Sequence, residues 1–482
     1  MRTTMVRRFP KARLHSEVRD KCITPAPRVS VHVVKMRGIM PDTPSKSWLK
    51  SAGMGLAVLS FINLFNYLDR YLVPALFESL KASELHLSDS ELGALMSGFL
   101  IVFTFTAPVF GALGDRYARP KLIAFGVACW SLATTLSGFA GNFAALLAAR
   151  ASVGIGEAAY GTVAPSLLSD YYPADRRGRV MAIFFCAIPV GSALGYVVGG
   201  IMDVHFGWRV AFFVAGIPGL ILAALCFGMR DPPRGSQDGE TTGGSPTATA
   251  SGKNTTADKP RGNIGIDTLK TYWRLLSNRP YRFTVLGYAA YTFAMGGLAS
   301  WMPAFLERVR GMPHGNATIS FGYIVVITGF IGTFVGGWLG DYCNKVSKRG
   351  YLAVSAAATA IAAPFTWFAL TTPSPHAYVV CMVIAQLMMF ISTGPINASI
   401  VNLVLPGERA SAVALEIFVI HLLGDCVSPY LIGRLSDAFS LAQAVKIVPA
   451  VVVISAALWA WAARSQTDTT HPNPNGPRTA PA

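Results

Sequence analysis

Six ionisable residues stand inside long apolar runs of this 482-residue chain: Asp69 and Arg70, Arg150 and Glu157, and Glu416 and Asp425. An ionisable group at the centre of a bilayer costs at least about 2.5–3.5 kcal/mol on insertion scales, so each needs a partner or a wet cavity. Carboxylates and guanidiniums placed together can hold a proton, pair with each other, or receive the head group of a ligand. Arg150 and Glu157 are two helical turns apart, so they share a face at about 10 Å along the axis. Gly154 lies between them and leaves a gap over the backbone that Asp69, Arg70 or a ligand head group could enter. Asp69 and Arg70 point about 100° apart, so one can face a cavity while the other turns to a neighbouring helix. If a ligand draws Arg150 away from Glu157 or Asp69, that carboxyl keeps its proton; once the proton leaves, Arg150 pairs again. A buried ion-pair network that only locks two helices together is the alternative reading.

His421 and Asp425 are one turn apart, close enough for a His–Asp pair, and histidine can titrate near neutral pH. Sequence alone provides neither nucleophile geometry nor an oxyanion hole, so no hydrolase chemistry follows. Tyr67, Tyr160, Tyr196, Tyr291, Phe293 and Trp301 are candidates to line a cavity, though filling a core is the more ordinary role of each. Gly154, Gly156 and Gly161 follow no strand and do not form a dinucleotide site. Gly191, Gly195 and Gly199 recur every four residues, the spacing of a close helix contact. Seven scattered cysteines show neither metal nor redox spacing, so no metal or cofactor is expected.

The elements that position these groups are bilayer-length. A spanning helix needs about 20 mostly apolar residues. Twelve such windows recur, six between residues 52 and 229 and six between 283 and 463. The composition agrees, with 52% hydrophobic and only 14% charged residues, against about 25% charged in an ordinary soluble domain. The net charge of +16 raises nucleic-acid binding, but the first 50 residues hold 12 Lys/Arg against 3 acids. The rest has no basic stripe interleaved with exposed aromatics, which argues against nucleic acid. Residues 1–50 read as a disordered basic extension with no secretory signal; a faint transit-peptide character is outweighed by a start at Met40.

The segments expected are a six-helix bundle at 51–230, a linker at 231–280, a second bundle at 281–464 and a disordered tail at 465–482. In 235–263, Gly, Ser and Thr fill 15 of 29 positions, too polar to order. Residues 267–278 read either as a helix in the membrane interface or as a lead-in to span seven. Loops on one side carry Arg116, Arg119 and Lys121, then Arg176, Arg177 and Arg179, then Lys345, Lys348 and Arg349, while Glu78, Glu84, Asp89 and Glu91 mark the other side. The positive-inside rule therefore puts both termini in the cytoplasm.

Gly111-Ala-Leu-Gly-Asp115 recurs as Gly337-Trp-Leu-Gly-Asp341, and Pro173-Ala-Asp-Arg-Arg-Gly-Arg-Val180 is echoed by Pro406-Gly-Glu-Arg-Ala-Ser-Ala-Val413. Two loops recurring at matching places predict an all-α integral membrane protein of twelve transmembrane helices in two pseudo-symmetric six-helix bundles, with a site between them at mid-depth.

At Gly111 to Pro120 the chain resembles the loop signature G-x-L-A-D-R-x-G-R-K of the major facilitator superfamily, with Ala118 and Pro120 departing from the usual Gly and Lys. Five stretches (NYLDRYLVP, RASVGIGEAAYGTVAP, PVGSALGY, GGLASWMPAFL and HLLGDCVSPYLIGRLSD) are similar to the Spinster branch. The resemblance implies an alternating-access secondary transporter, proton-coupled, for a lysolipid-like amphipath or an organic anion. It also implies a gate in which Asp115, with Arg116 and Arg119, faces the start of helix 11 near Arg409 to Ala412 and latches the cytoplasmic side. Asp69, Arg70, Arg150 and Glu157 are the expected substrate and proton residues; Glu416, His421 and Asp425 are further cavity candidates. The expected setting is a monomer in a bacterial inner membrane, without enzymatic activity. A carrier of small hydrophilic organic acids, favoured by Arg70 and Arg150, and a non-transporting receptor or scaffold are the alternatives.

Overall fold

The computed structural model describes residues 51–237, 264–405 and 408–466. The basic extension, most of the linker and the tail from 467 lie outside the described residues. The described chain is helical throughout: α1 Ala52–Ala75, α2 Phe77–Ala82, α3 Asp89–Arg116, α4 Arg119–Ser137, α5 Phe143–Tyr171, α6 Ala174–Phe206 and α7 Trp208–Phe227 in the first half. After the linker come α8 Ile264–Ser277, α9 Arg279–Arg308, α10 Asn316–Val346, α11 Gly350–Thr371, α12 Pro375–Asn402, α13 Arg409–Ile420, α14 Ser428–Ala438, α15 Leu441–Ala444 and α16 Ile447–Ser465. A π-helical turn, His421–Asp425, joins α13 to α14. Helix α8 covers 267–277 of the segment read as an interfacial helix or a lead-in to span seven, and its Trp273 is exposed.

Local sequence sets the helix starts. Ser51 accepts from the N–H of Met54, Asn142 accepts from that of Ala145, and Ser88 with Glu91 forms a reciprocal capping box. Among the described residues nine helices are long and apolar enough to cross a membrane. Three more, α4, α5 and α9, have comparable length (19, 29 and 30 residues) but are more polar. In α5 the polarity comes from Arg150 and Glu157, which neighbouring helices cover, so the helix need not be apolar all round. The outward surface is apolar instead: Phe61, Phe125, Leu132, Ile221, Phe334, Ile361 and Trp461 are exposed. Hydrocarbon, not water, suits such a surface. The chain is an all-α, multi-pass integral membrane protein.

The same pairings occur in both halves. Helix α3 packs on α5 as α10 packs on α12, and α4 on α7 as α11 on α16. Between the halves, α3 meets α14 and α6 meets α10. Glycine makes the first of these contacts possible. A Cβ on Gly93 would lie 2.3 Å from Pro429 O, and one on Gly433 would lie 2.2 Å from Asp89 O. Gly191, Gly195 and Gly199 press α6 against α1 at Leu64, Leu68 and Ala75.

Candidate functional site

Four charges join α1 to α5, and three of them, Asp69, Arg150 and Glu157, are buried. Arg150 and Asp69 are each 1% exposed, and Arg150 Nη1 donates to both Asp69 oxygens at 3.1 and 3.2 Å. Thr134 adds a donated hydrogen bond of 2.9 Å to the same carboxylate. Arg70 Nη2 donates to Glu157 Oε2 at 2.7 Å, and the Arg70 guanidinium lies 5.1, 5.0 and 5.3 Å from the ring centres of Tyr67, Phe99 and Phe103. Arg150 thus pairs with Asp69, and Glu157 with Arg70, rather than Arg150 serving both carboxylates. Two turns separate Arg150 from Glu157, too far for direct contact, and α1 supplies one residue of opposite sign at each level. Both Asp69 and Arg70 turn toward α5. The expected gap over Gly154 is closed by α3: a Cβ there would meet Phe99 O at 2.6 Å and Phe103 N at 2.9 Å. The cluster keeps unspent valences, since Arg70 Nε, Arg150 Nε and Nη2, and Glu157 Oε1 are buried with no hydrogen-bond partner among the described residues.

His421 Nδ1 stands 2.9 Å from Asp425 Oδ1, so the spacing does produce the His–Asp pair, and the π-helical turn carries both residues. The Phe103 ring that covers Arg70 also meets the His421 ring edge-on at 6.0 Å, bringing the two halves together. Glu416 is 3% exposed and has no ion pair or hydrogen bond among the described residues.

Below the contact of α6 with α10, the two helices part around a cavity of about 610 Å³. Its wall comes from five helices, with Tyr71, Ser192, Tyr196, Phe330, Gln386 and Phe390 among its residues. Of the aromatic candidates only Tyr196 lines it. Tyr67 cages Arg70. The hydroxyls of Tyr160 and Tyr291 are spent on Leu59 O and Met389 O, and the Trp301 indole on Pro429 O. Phe293 is buried. Sequence reasoning missed Tyr71 and Gln386, which have no periodicity that distinguishes them. Among the described residues no cluster of three His, Cys, Asp or Glu could hold a metal ion.

The end of the molecule carrying the 117–118 and 347–349 connections lies on the cavity side of the contact of α6 with α10. There Asp115 and Arg116 are exposed. Arg119 is not beside them in a latch but 1% exposed inside the first half, bound to Asp170 at 2.5 Å, to Asp231 at 2.9 Å and to Pro232 O at 2.7 Å. Its position at the first residue of α4 points it under α5 instead of toward α13.

The opposite end is sealed. Arg308 bridges Glu78 and Asp89 at 2.6 Å each, Lys81 reaches Asp89 at 2.6 Å, and Ser436 donates to Asp89 at 2.5 Å. Burial raises the Glu78 carboxyl above its ordinary range despite Arg308. His314 lies 3.1 Å from Asp203 and 2.9 Å from Glu307, tying α6 to the α9–α10 connection. A signal for the Asp437 contact at this end was present in the sequence, since Gly433-Arg-Leu-Ser-Asp437 repeats the G-x-L-x-D pattern of Gly111 to Asp115 a third time.

An all-α multi-pass membrane protein whose halves close at one end and part around a cavity at the other has the architecture of a secondary transporter. Comparison with known proteins agrees. The sequence profile of the Major Facilitator Superfamily matches residues 59–429. The chain is 32% identical over 417 residues to Protein spinster of Drosophila melanogaster, covering 83% of this chain and 65% of that protein. It is 35% identical over 400 residues to Protein spinster homolog 1 of Xenopus laevis, with 79% and 72% covered, and 34% identical over 404 residues to the Homo sapiens homolog, again with 79% and 72% covered. Among solved structures, a bacterial homolog to human lysosomal transporter Spinster in an inward-facing, unoccupied conformation superposes with a TM-score of 0.73 at 23% identity, covering 86% of this chain and 97% of that one. A D-xylose-proton symporter superposes at 0.66 with 15% identity, covering 85% and 97%. The chain belongs to the Major Facilitator Superfamily and, within it, to the Spinster branch. Its function is secondary active transport by alternating access rather than bond-making catalysis.

Proposed function

We propose that the chain is a twelve-span, proton-coupled carrier in which α4, α5 and α9 cross the bilayer with the nine more apolar helices. Both termini lie in the cytoplasm, in a bacterial inner membrane, and the sealed end faces away from the cytoplasm. The basic loops at the opposite end support this orientation. The solute is an amphipath of lysolipid or sphingoid type or an organic anion, and the apolar cavity favours the first.

The observation that carries the coupling is the Arg70–Glu157 pair, held at 2.7 Å with Glu157 Oε1 and Arg70 Nε unpartnered. A buried pair with spare valences can be broken by a proton on the carboxylate or by an anion on the guanidinium, and each event makes the other easier. Tyr71, next to Arg70 in sequence, lines the cavity and links the pair to the solute. Arg70, with its side chain 15% exposed, also supports the reading of a small organic acid as cargo. The test is transport in reconstituted vesicles with lysolipids and small organic acids offered in parallel. Glu157→Gln should abolish movement driven by a pH gradient while leaving solute exchange, and unchanged pH-driven transport in that variant sinks the coupling role.

A further inference from the structure

The cavity wall carries no Lys, Arg, His, Asp or Glu. Its hydroxyl hydrogens are largely committed: Ser192 donates to Ile188 O at 2.8 Å, Thr393 to Phe390 O at 2.6 Å, and Tyr196 to Ala299 O at 2.6 Å. Thr333, exposed at the mouth, is left with no partner among the described residues.

Gln386 is the one carboxamide in the wall, and its orientation follows from its neighbour. Thr328 Oγ1 is 2.6 Å from Ile324 O and 3.3 Å from the Gln386 carboxamide. With Oε1 turned toward Thr328, two oxygens would compete for one hydroxyl hydrogen, and the shorter bond to Ile324 takes it. A half-turn of the amide about its last bond resolves the conflict: the NH₂ group donates to Thr328 Oγ1 and the carbonyl oxygen faces the cavity. Thr328 is 2% exposed and fixed by its own helix, so it holds the carboxamide in that sense. The inward surface is then mostly apolar, with more acceptors than free donors.

We propose that Gln386 is a specificity-determining residue whose carbonyl oxygen receives a hydrogen bond from a hydroxyl or amine group on an otherwise apolar solute. The inference rests on the reading of this cavity as the solute's site. An anionic carboxylate or phosphate is disfavoured beside Gln386, because there it would meet a lone pair and no cation among apolar side chains. Any anionic head group must lie elsewhere on the solute, away from Gln386.

The test uses the full-length protein in lipid nanodiscs and two photoreactive probes with the same diazirine-bearing alkyl chain, one ending in a hydroxyl and the other in a carboxylate. Cross-linked peptides are quantified by mass spectrometry. The hydroxyl probe should label the cavity peptides of α10 and α12 about tenfold more than the carboxylate probe, the scale of one hydrogen bond set against an unpaired buried charge. Gln386→Met should lower that ratio, because the hydroxyl loses its acceptor while the carboxylate still finds no cation. Thr328→Val, which frees the carboxamide to rotate, should lower it while labelling persists, and it supplies the reading if the first variant does not fold. Equal labelling by the two probes in the native protein, or an undiminished ratio in both variants, overturns the assignment of Gln386. Absence of labelling by either probe overturns it together with the reading of the cavity as the solute site, while vesicle transport tests the carrier function separately.

Discussion

The carboxylate of Asp437 closes on the amino end of α3, accepting from the backbone N–H of Ser90 at 2.8 Å and of Asp89 at 2.9 Å. A helix amino terminus presents unpaired N–H groups and partial positive charge, so a carboxylate from the other half of the molecule is held there by both. The superfamily resemblance implies such a contact at the opposite end, between Asp115 and the start of α13. The conformation described has the contact at the sealed end formed, while Asp115 stands exposed. Asp437→Asn keeps the shape and removes the charge, and it should weaken the seal by about 0.5–2 kcal/mol. Spin-label distances across the sealed end, from α2 to the 309–315 connection, should then show a larger open population. An unchanged distance distribution would count against a sealing role for Asp437.

The seal should also respond to pH through His314. Burial lowers its affinity for a proton, but the hydrogen bond and charge of Glu307, with Asp203 beyond, outweigh burial and raise the imidazole above its ordinary 6.5. When the sealed state raises a pKa, its contribution is full below the solvated value and fades as pH rises through the raised one. The open population at this end should therefore grow as pH climbs from about 6 through the neutral range. In His314→Ala that part of the pH dependence should flatten, read by the same distance measurement across a pH series. A profile of the same steepness in the variant would assign the response to another group.

Much of the architecture is legible in the sequence, and the reason is the bilayer. Long apolar windows, basic loops and the recurring G-x-L-x-D pattern are imposed by the membrane and by duplication, so they show through a single chain. Asp69, Arg70, Arg150 and Glu157 stood out for the same reason, as charges where charge is costly. Their partners were not legible, because side-chain pairing depends on how α1 crosses α5, and helical spacing within one element does not report that. Arg119 shows the same limit, since its place beside Asp115 in sequence concealed that it turns under α5 toward Asp170 and Asp231. Asp89 counted only as a loop charge, and Arg308 and His314 escaped notice, because charges in short connections look ordinary until two distant loops converge on them.

The close contact of α1 with α6 depends on the absence of side chains at three positions. At Gly195 a Cβ would lie 2.6 Å from Leu68 O and 2.9 Å from the Tyr71 Cβ. Gly195→Leu should therefore push α1 away from α6 and displace both Tyr71 and the adjacent Arg70, at about 1–3 kcal/mol for an overpacked contact. Thermal unfolding of the purified protein should show a lower apparent Tm, and solute exchange should fall with it because Tyr71 forms part of the cavity wall. Gly111, where a Cβ meets nothing within 4 Å, provides the control: Gly111→Ala should leave both measurements unchanged. Full exchange activity in Gly195→Leu would show that the α1–α6 contact does not position the site.

Asp69 and Arg150 form the more deeply buried of the two pairs, each side chain 1% exposed. Removing one member of such a pair leaves a charge with no solvent and no partner, which typically costs about 3–5 kcal/mol, whereas replacing both with apolar groups of similar volume is often neutral. Arg150→Met should therefore destabilise the protein strongly, Asp69→Leu should do so to a similar degree, and the double variant should recover most of the lost apparent Tm. The cycle separates folding from coupling: if the pair only locks α1 to α5, the double variant should regain pH-driven transport along with stability. If the pair also responds to the proton, stability should return while pH-driven transport stays lost and solute exchange survives. Recovery of both would confine Asp69 and Arg150 to a structural role and leave Arg70 and Glu157 as the coupling pair.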